Sequence, residues 1–150
     1  MYFFQKLRRN SSFKIAPFYV LISLTLWGLP TSGNTQALGK ASLISPRNNV
    51  AVKNGRPCFE WHAAEGAEKY TVQVSSDTVF GPSSKRWVLN DVRSTRQCWN
   101  ASFRPNPTAG ETPDSLYPEA TYYWRIKSER EGSSWVFSDY RPFRVPSESL

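Results

Sequence analysis

Apolar and polar residues alternate in several short runs along the chain from Leu38 onward, and clusters of Gly, Pro, Asn, Asp and Ser separate these runs. The alternation is clearest at residues 70–75 and 122–127. Successive side chains of a β-strand point to opposite faces, so each of these runs is predicted to form a strand with one buried face. No segment shows a sustained helical period, and the pattern therefore predicts an all-β domain.

Weaker patterns predict the remaining elements. They are a first strand broken at Pro46 and continued by Val50 and Val52, a turn at Asn54 and Gly55, strands at 57–62, 85–90 and 95–101, and an irregular last strand at 135–145, where Pro142 implies an edge or a bulge. Phe80 is expected to fold back onto the core after a turn at 76–77. Residues 105–114 contain three prolines and a glycine and are predicted to form an unusually long loop.

The number and length of these strands predict a two-sheet immunoglobulin-like sandwich. About seven short strands in roughly 110 residues, with a tryptophan on an early strand, are typical of this architecture and its Greek-key connections. A small closed barrel is the alternative. In the sandwich, the apolar side of each strand faces the space between the sheets. The predicted core consists of Phe59, Trp61, Tyr70, Val72, Val74, Tyr122, Trp124, Ile126 and Phe143.

The first 37 residues differ in composition from the rest of the chain. Four basic residues precede an uncharged apolar run at 15–29, and a polar stretch with small residues follows; the basic residues are Lys6, Arg8, Arg9 and Lys14. This order is typical of a secretory signal peptide, with Thr35 and Ala37 at the cleavage site. An uncleaved anchor is the less favoured alternative, because the apolar run is shorter than the ~20 residues of a membrane-spanning helix. Arg8 and Arg9 also match a twin-arginine signal, although weakly.

These observations predict a signal peptide at 1–37, a short tail at 38–41, one β-domain at 42–146 and a C-terminal tail at 147–150. We therefore expect a secreted or periplasmic protein. Attachment to a membrane would require that the N-terminal segment stays uncleaved.

The net charge of +7 originates mainly in the N-terminal segment. From residue 38 onward, 15 basic side chains stand against 12 acidic ones, and the two signs interleave, as they do at 127–131. A nucleic-acid-binding domain is expected to cluster Lys and Arg on one face. The charge pattern therefore argues against a nucleic-acid partner.

Cys58 and Cys98 are the only two cysteines in the chain. In an exported protein, paired thiols persist as a disulfide, so a bridge is the favoured state and two free buried thiols are the alternative. Neither cysteine has another Cys or a His at the spacing of a metal site. We therefore predict no metal centre.

Catalytic chemistry has little support in the sequence. His62 is the one histidine, and it directly follows Trp61, so its side chain is expected to face away from the core. A serine or cysteine nucleophile needs a base and a group that orients the base, and no nucleophile signature occurs. Acidic pairs such as Glu129 and Glu131 fall in predicted turns rather than in a cleft. We expect neither enzymatic activity nor a cofactor.

Three segments carry a recognisable set of packing motifs. They are residues 59–77 with the sequences FEW, GA and YTVQVSSD, residues 116–126 with the sequence LYPEATYYWRI, and residues 138–145 with the sequence SDYRPFRV. Together they resemble a fibronectin type III module of the kind found in bacterial surface and secreted proteins. The resemblance spans nearly all of 42–146 and implies that family's sandwich topology and a role in protein interaction or structural spacing. It also implies that Tyr122 forms a tyrosine corner, in which the hydroxyl bonds back to the backbone.

Two features depart from this family. The cysteine pair is not one of its hallmarks, and the loop at 105–114 is longer than usual. If Trp61 points inward, Cys58 points outward from the same strand. A bridge to Cys98 would then join neighbouring strands within one sheet.

The outward side of the two clearest strands is the candidate surface for a protein partner. It is predicted to comprise Thr71, Gln73, Tyr123, Arg125 and Lys127, with the turn at 129–134 at its edge and Trp135 on the adjacent strand. Tyrosine and arginine are enriched where proteins meet. The alternative is an ordinary solvated face, with Arg125 stacked on Trp135 as a structural cation–π pair.

A carbohydrate-binding module is the second hypothesis. Trp87, Trp99 and Trp135 lie on strands whose inward face the pattern does not determine. Two exposed and coplanar indoles would form a platform for a sugar ring. The hypothesis therefore requires that at least two of these indoles are exposed and share one face.

Overall fold

The computed structural model of the chain describes residues 37–132 and 134–147, which form ten strands and one 3₁₀ turn. The elements are β1 (Ser42–Ser45), β2 (Val50–Ala51), the 3₁₀ turn (Lys53–Gly55), β3 (Cys58–His62), β4 (Lys69–Ser75), β5 (Arg86–Val92), β6 (Arg96–Cys98), β7 (Arg104–Pro105), β8 (Ala120–Glu129), β9 (Trp135–Phe137) and β10 (Arg141–Val145). The all-β prediction is confirmed. The apolar run of the predicted signal peptide lies outside the described residues. Within the described ranges, no helix has the length and apolar character needed to span a membrane.

The strands form two separate sheets. The smaller sheet has the order β1-β3-β6, and the larger sheet has the order β2-β10-β8-β4-β5-β7, with β9 also paired to β8. No strand pairing joins one sheet to the other in the described part of the chain, so the architecture is a sandwich rather than a closed barrel. The predicted two-sheet sandwich is confirmed.

The core lies between the sheets and is rich in aromatic rings. All nine residues predicted to form it are buried, and Trp87, Trp99, Phe103 and Leu116 join them. The ring centroid of Phe59 on the smaller sheet lies 5.1 Å from that of Trp124 on the larger sheet. Tilted rings at such distances pack favourably across an interface between sheets. The two sheets are therefore held face to face by interdigitated aromatic side chains.

The long loop that follows β7 covers one region of this core. Its backbone carbonyls at Glu111 and Pro113 each accept a hydrogen bond of 3.0 Å, from the indole N–H groups of Trp87 and Trp99 respectively. A buried indole N–H without a partner is costly, so both tryptophans depend on this loop. The loop thus has a defined path although β7 contributes only two residues to the sheet.

A tight backbone contact holds the segment that precedes β8. The amide of Leu116 donates to the carbonyl of Gly55 over 2.8 Å. Gly55 has a φ of +58°, and a Cβ atom at this position would lie 2.4 Å from the carbonyl oxygen of Leu116. Only glycine fits this approach without a shift of the backbone.

The hydroxyl of Tyr122 forms the corner that the family resemblance implies. It accepts a hydrogen bond of 3.1 Å from the backbone amide of Tyr117, and the ring of Tyr122 is buried. Burial raises the pKa of this hydroxyl, so it stays protonated. The corner ties the entry of β8 to the core.

The predicted disulfide is confirmed. Cys58 on β3 and Cys98 on β6 are directly paired in the smaller sheet, and their sulfur atoms are bonded. The bridge therefore joins neighbouring strands of one sheet, as expected from the inward orientation of Trp61.

Replacement of both cysteines should destabilise the domain. The bridge closes a loop with a sequence separation of 40 residues, and its loss returns conformational entropy to the unfolded chain. We expect the double variant Cys58→Ser, Cys98→Ser to lose about 2–4 kcal/mol of unfolding free energy in urea denaturation. A loss below about 1 kcal/mol would show that the bridge contributes little to stability.

Removal of the Tyr122 hydroxyl should also destabilise the domain. Tyr122→Phe leaves the amide of Tyr117 without its partner, which should cost about 1–2 kcal/mol in urea denaturation. Tyr123→Phe is the matched control, because no hydrogen bond of the neighbouring hydroxyl occurs among the described residues. Equal effects of the two variants would argue against a stabilising corner.

A candidate binding face on the larger sheet

The outer face of the larger sheet, which points away from the smaller sheet, collects the residues that were predicted to bind a partner. Strand register pairs Gln73 with Arg125, Thr71 with Lys127, and Glu129 with Trp135. Tyr123 lies on the same side of β8, two residues before Arg125. All six predicted binding residues thus share the outer face of the larger sheet.

Two of the six are not accessible to a partner. Thr71 is 3% exposed and Gln73 is 9% exposed, so the expectation that they form an open surface is wrong. The Thr71 hydroxyl donates to a carboxylate oxygen of Glu129, and the Gln73 side-chain oxygen accepts from Nε of Arg125 over 2.9 Å. The physical reason is the central position of β4, because longer side chains from both neighbouring strands close over it. Thr71 and Gln73 therefore lie beneath the side chains that form the accessible surface and bond to two of them, Glu129 and Arg125.

Arg125 lies between two aromatic rings. Its guanidinium carbon is 3.8 Å from the ring centroid of Phe137 and 4.2 Å from that of Phe80. The predicted stack of Arg125 on Trp135 is therefore wrong. Register explains the difference, since β9 places Phe137 opposite Lys127 and Trp135 one step further along β8, opposite Glu129. Lys127 is the cation beside Trp135, with Nζ 5.7 Å from the ring centroid.

The stacked side chains form a continuous row, which we call the cation–aromatic ladder. Consecutive contacts link Tyr140, Phe80, Arg125, Phe137 and Trp135 in that order, and Lys127 lies beside Trp135; these six residues are its members. Each contact between a cation and an aromatic face contributes about 0.5–2 kcal/mol, more where water is excluded. The ladder therefore restricts side chains that would otherwise move freely on a sheet surface.

Phe80 reaches the ladder from the loop between β4 and β5. Its ring is buried, but it lies on the outer face and not between the sheets, so the expectation that it packs onto the core is wrong. The loop is held by Asp77, whose carboxylate accepts from the amides of Val79 and Phe80. The Arg86 guanidinium donates to the carbonyl of Phe80. These contacts turn the chain back over the sheet.

Two large aromatic side chains of the ladder remain open to solvent. Trp135 is 58% exposed and Tyr140 is 47% exposed, whereas Tyr123, Arg125 and Lys127 are half-buried. Tyr140 packs edge-on against Tyr123, with ring centroids 5.8 Å apart. The two exposed rings therefore stand at the ends of a row of ordered side chains.

The electrostatics of this face are dominated by cations. Burial lowers the pKa of Arg125, and the nearby charge of Arg86 lowers it further. For Glu129, burial opposes ionisation, but hydrogen bonds from Thr71 and Lys127, together with the charge of Lys127, hold the carboxyl pKa below its usual value. Lys127 and Glu129 form an ion pair of 3.0 Å, which neutralises one end of the ladder.

A groove of about 560 Å³ opens beside the exposed indole of Trp135. Both signs of charge line it in equal number, namely Lys69, Arg93 and Arg130 against Glu68, Glu129 and Glu131. Lys69 is itself paired with Asp91 over 2.7 Å. The groove thus extends the candidate surface beyond the end of the ladder, with no net preference for one sign of charge.

The predicted sugar platform does not form. Trp87 is 0% exposed and Trp99 is 4% exposed, so of the three tryptophans in question only Trp135 faces solvent. The inward orientation follows from the pairing of Trp87 with Val74, whose side chain lies in the core. The requirement for two exposed, co-facial indoles is therefore not met.

His62 is exposed at the end of β3. Across residues 37–132 and 134–147, no group of three or more His, Cys, Asp or Glu side chains is arranged to hold a metal ion.

Sequence reasoning missed Phe80, Phe137, Tyr140 and Arg86 as parts of this face. Phe137 follows Trp135 by two residues, so alternation along β9 would have placed both on one side. No comparable signal exists for Phe80 and Tyr140, because both lie outside regular strands. Their positions depend on how two loops return to the sheet.

No protein-family model matches the sequence, and no curated protein matches it. Among solved structures, the chain is similar to one described as the crystal structure of an Fn3-like protein from Clostridium thermocellum. The sequence identity is 19% and the TM-score is 0.47, and the match covers 76% of this chain and 97% of that chain. At this identity and TM-score, the similarity indicates neither an activity nor a ligand.

Glu129→Gln should reduce the loss of stability in acid. The pKa of Glu129 in the folded state lies below its unfolded value of about 4.3, so the ionised carboxylate stabilises the fold above that value. The stabilisation disappears as the pH falls through the folded pKa. Between about pH 5 and pH 3, the wild type should therefore lose more unfolding free energy than Glu129→Gln does.

Urea denaturation at several pH values measures this difference. Lowered pKa values at Asp77, through its hydrogen bond with Ser84, and at Asp91, through Lys69, give both proteins a shared acid sensitivity. Glu111→Gln is the control, since this exposed carboxylate has no hydrogen bond or ion pair among the described residues. Parallel pH profiles for the wild type and Glu129→Gln would contradict the assignment.

Proposed function

We propose that the chain is an exported, non-catalytic module that binds another protein through the cation–aromatic ladder. The observation that carries this proposal is the exposure of Trp135 and Tyr140 at the two ends of an ordered row of side chains. Tryptophan, tyrosine and arginine are the residues that most often dominate the energy of protein interfaces. A face that presents all three favours a protein partner over a purely solvated surface.

Pre-organisation supports the same function. Binding normally costs about 0.5–1.5 kcal/mol for each flexible side chain that becomes ordered. Arg125 is already held between two rings, and Tyr123 is already packed against Tyr140. Folding has thus already ordered these side chains, so less side-chain entropy is lost when a partner binds.

Export is supported by two independent features. The Cys58–Cys98 disulfide fits an extracellular or periplasmic location, because such bridges persist in oxidising compartments. The N-terminal sequence is typical of a signal peptide. A non-catalytic role is favoured by the single histidine, His62, which stands exposed at a strand end without an orienting partner among the described residues.

Substitution of the exposed rings should weaken capture of the natural partner. We expect Trp135→Ala and Tyr140→Ala each to weaken binding about tenfold or more in a pull-down from the native host, since exposed aromatic anchors carry much of the energy of an interface. Tyr117→Ala is the matched control. Its ring is 49% exposed but contacts Lys85 rather than the ladder.

The supporting result is a protein that the wild type and Tyr117→Ala capture and that both ladder variants lose. The far-ultraviolet circular dichroism spectrum and the melting temperature should remain close to those of the wild type, because neither ring lies in the core. If both ladder variants keep every partner, the face does not bind protein, and a role in structural spacing is the better description.

A further inference from the structure

Two guanidinium groups converge on Phe80 from the two strands that flank β4. Arg86 on β5 donates to the backbone carbonyl of Phe80, and Arg125 on β8 lies over the ring. Strand β4 separates the two arginines, with Ser75 paired to Arg86 and Gln73 paired to Arg125. The two positive charges are thus held on one face, on either side of a single strand.

Neither arginine has an acidic partner in the described part of the chain. Ion pairs in that part join Lys40 with Asp139, Lys69 with Asp91, Arg96 with Glu60, and Lys127 with Glu129, and none of these includes Arg86 or Arg125. Nε of Arg86 is buried and out of a partner's reach, but only one of its two terminal nitrogens donates to Phe80, and no hydrogen bond of the other occurs among the described residues. The guanidinium of Arg125 uses Nε to reach Gln73, and no hydrogen bond of its two terminal nitrogens occurs among the described residues. Donors therefore remain on both side chains.

This arrangement is electrostatically incomplete. An arginine side chain stays charged at all physiological pH values, and partly buried charges are normally paired. Here two like charges lie close enough for Arg86 to disfavour the charged form of Arg125. An anion between them would relieve the repulsion and accept the remaining N–H donors.

We propose that an acidic side chain of the partner protein docks between Arg86 and Arg125. This inference rests on the proposed function and names the chemistry of the partner. The planar fork of a guanidinium matches a carboxylate through two parallel hydrogen bonds, which fixes the orientation of the bound group. The ladder would then combine a central charged contact with exposed aromatic rings at its ends.

The surroundings favour a protein carboxylate over a phosphate. Phosphate sites usually use backbone N–H groups at helix N-termini or in glycine-rich loops. Among the described residues, the one helical element is a 3₁₀ turn of three residues, and the sequence has no phosphate-binding loop. Val79, which is 76% exposed, adds an apolar group to the loop beside the arginines. Apolar, aromatic and arginine side chains in one patch are typical of protein interfaces.

Binding of poly-L-glutamate to the full chain tests the proposal without a natural partner. Fluorescence anisotropy of labelled poly-L-glutamate should show binding to the wild type at low salt, and poly-L-lysine should not bind. Arg86→Gln and Arg125→Gln should each weaken the binding about tenfold, as expected for the loss of one charge-assisted contact. Arg47→Gln removes the same charge from an exposed loop and should change the affinity less than about twofold.

Loss of binding through misfolding has to be separated from loss of the site. Arg125→Lys keeps the positive charge but removes the fork, so it should retain the wild-type melting temperature more closely than Arg125→Gln and still bind poly-L-glutamate more weakly than the wild type. Arg86→Gln provides a second test, because it removes one of the two charges without replacing any member of the ladder.

Three results would overturn the inference. They are an absence of poly-L-glutamate binding, an equal effect of Arg47→Gln and Arg125→Gln, and binding of inorganic phosphate that displaces poly-L-glutamate at equal charge concentration. The poly-L-glutamate experiment and the pull-down can fail independently of each other. Partner capture that depends on Trp135 and Tyr140 but not on Arg86 and Arg125 would overturn only the acidic partner. Poly-L-glutamate binding without any ladder-dependent partner would overturn the proposed function.

Discussion

The antiparallel pairing of β4 with β8 is the constraint on which both faces of this domain depend. It runs from Lys69 opposite Glu129 to Ser75 opposite Tyr123. Because strand side chains alternate, this single register directs one set of residues into the aromatic core and the other set to the outer face. A slip by one residue would expose Trp124 and bury the guanidinium of Arg125 between the sheets. The core and the candidate binding face are therefore two consequences of one register.

The outer face shows how a sheet surface can be ordered without becoming a second core. Phe80 and Phe137 cover Arg125, and the carboxylate of Glu129 receives hydrogen bonds from Thr71 and Lys127. Buried polar groups on β4 are thereby satisfied by side chains from β8, which removes the cost of covering them. The exposed rings and the guanidinium groups are held in place, but the rings are still open to solvent and some guanidinium N–H donors have no acceptor among the described residues. This combination distinguishes the face from an ordinary solvated side of a sandwich.

The loops contribute as much to the arrangement as the strands. The loop between β7 and β8 supplies the carbonyls for the indoles of Trp87 and Trp99, and the loop between β4 and β5 supplies Phe80. Each is fixed by hydrogen bonds between its own backbone and distant side chains. The disulfide adds a covalent link at the other sheet, where β6 contributes only three residues. Long-range contacts thus compensate for short strands.

The local sequence pattern was enough to establish the class of fold and the core positions on β4 and β8, and it favoured a bridge between the two cysteines. These follow from local alternation and from the count of two cysteines, and they need no knowledge of which strands become neighbours. Three findings emerge from the folded structure alone: Trp87 and Trp99 are buried, Arg125 stacks on Phe137 and Phe80 rather than on Trp135, and Thr71 and Gln73 are covered. The physical reason is that these outcomes depend on the register of β9 against β8 and on the paths of two loops, whose backbone carbonyls accept hydrogen bonds from side chains 24 and 22 residues away.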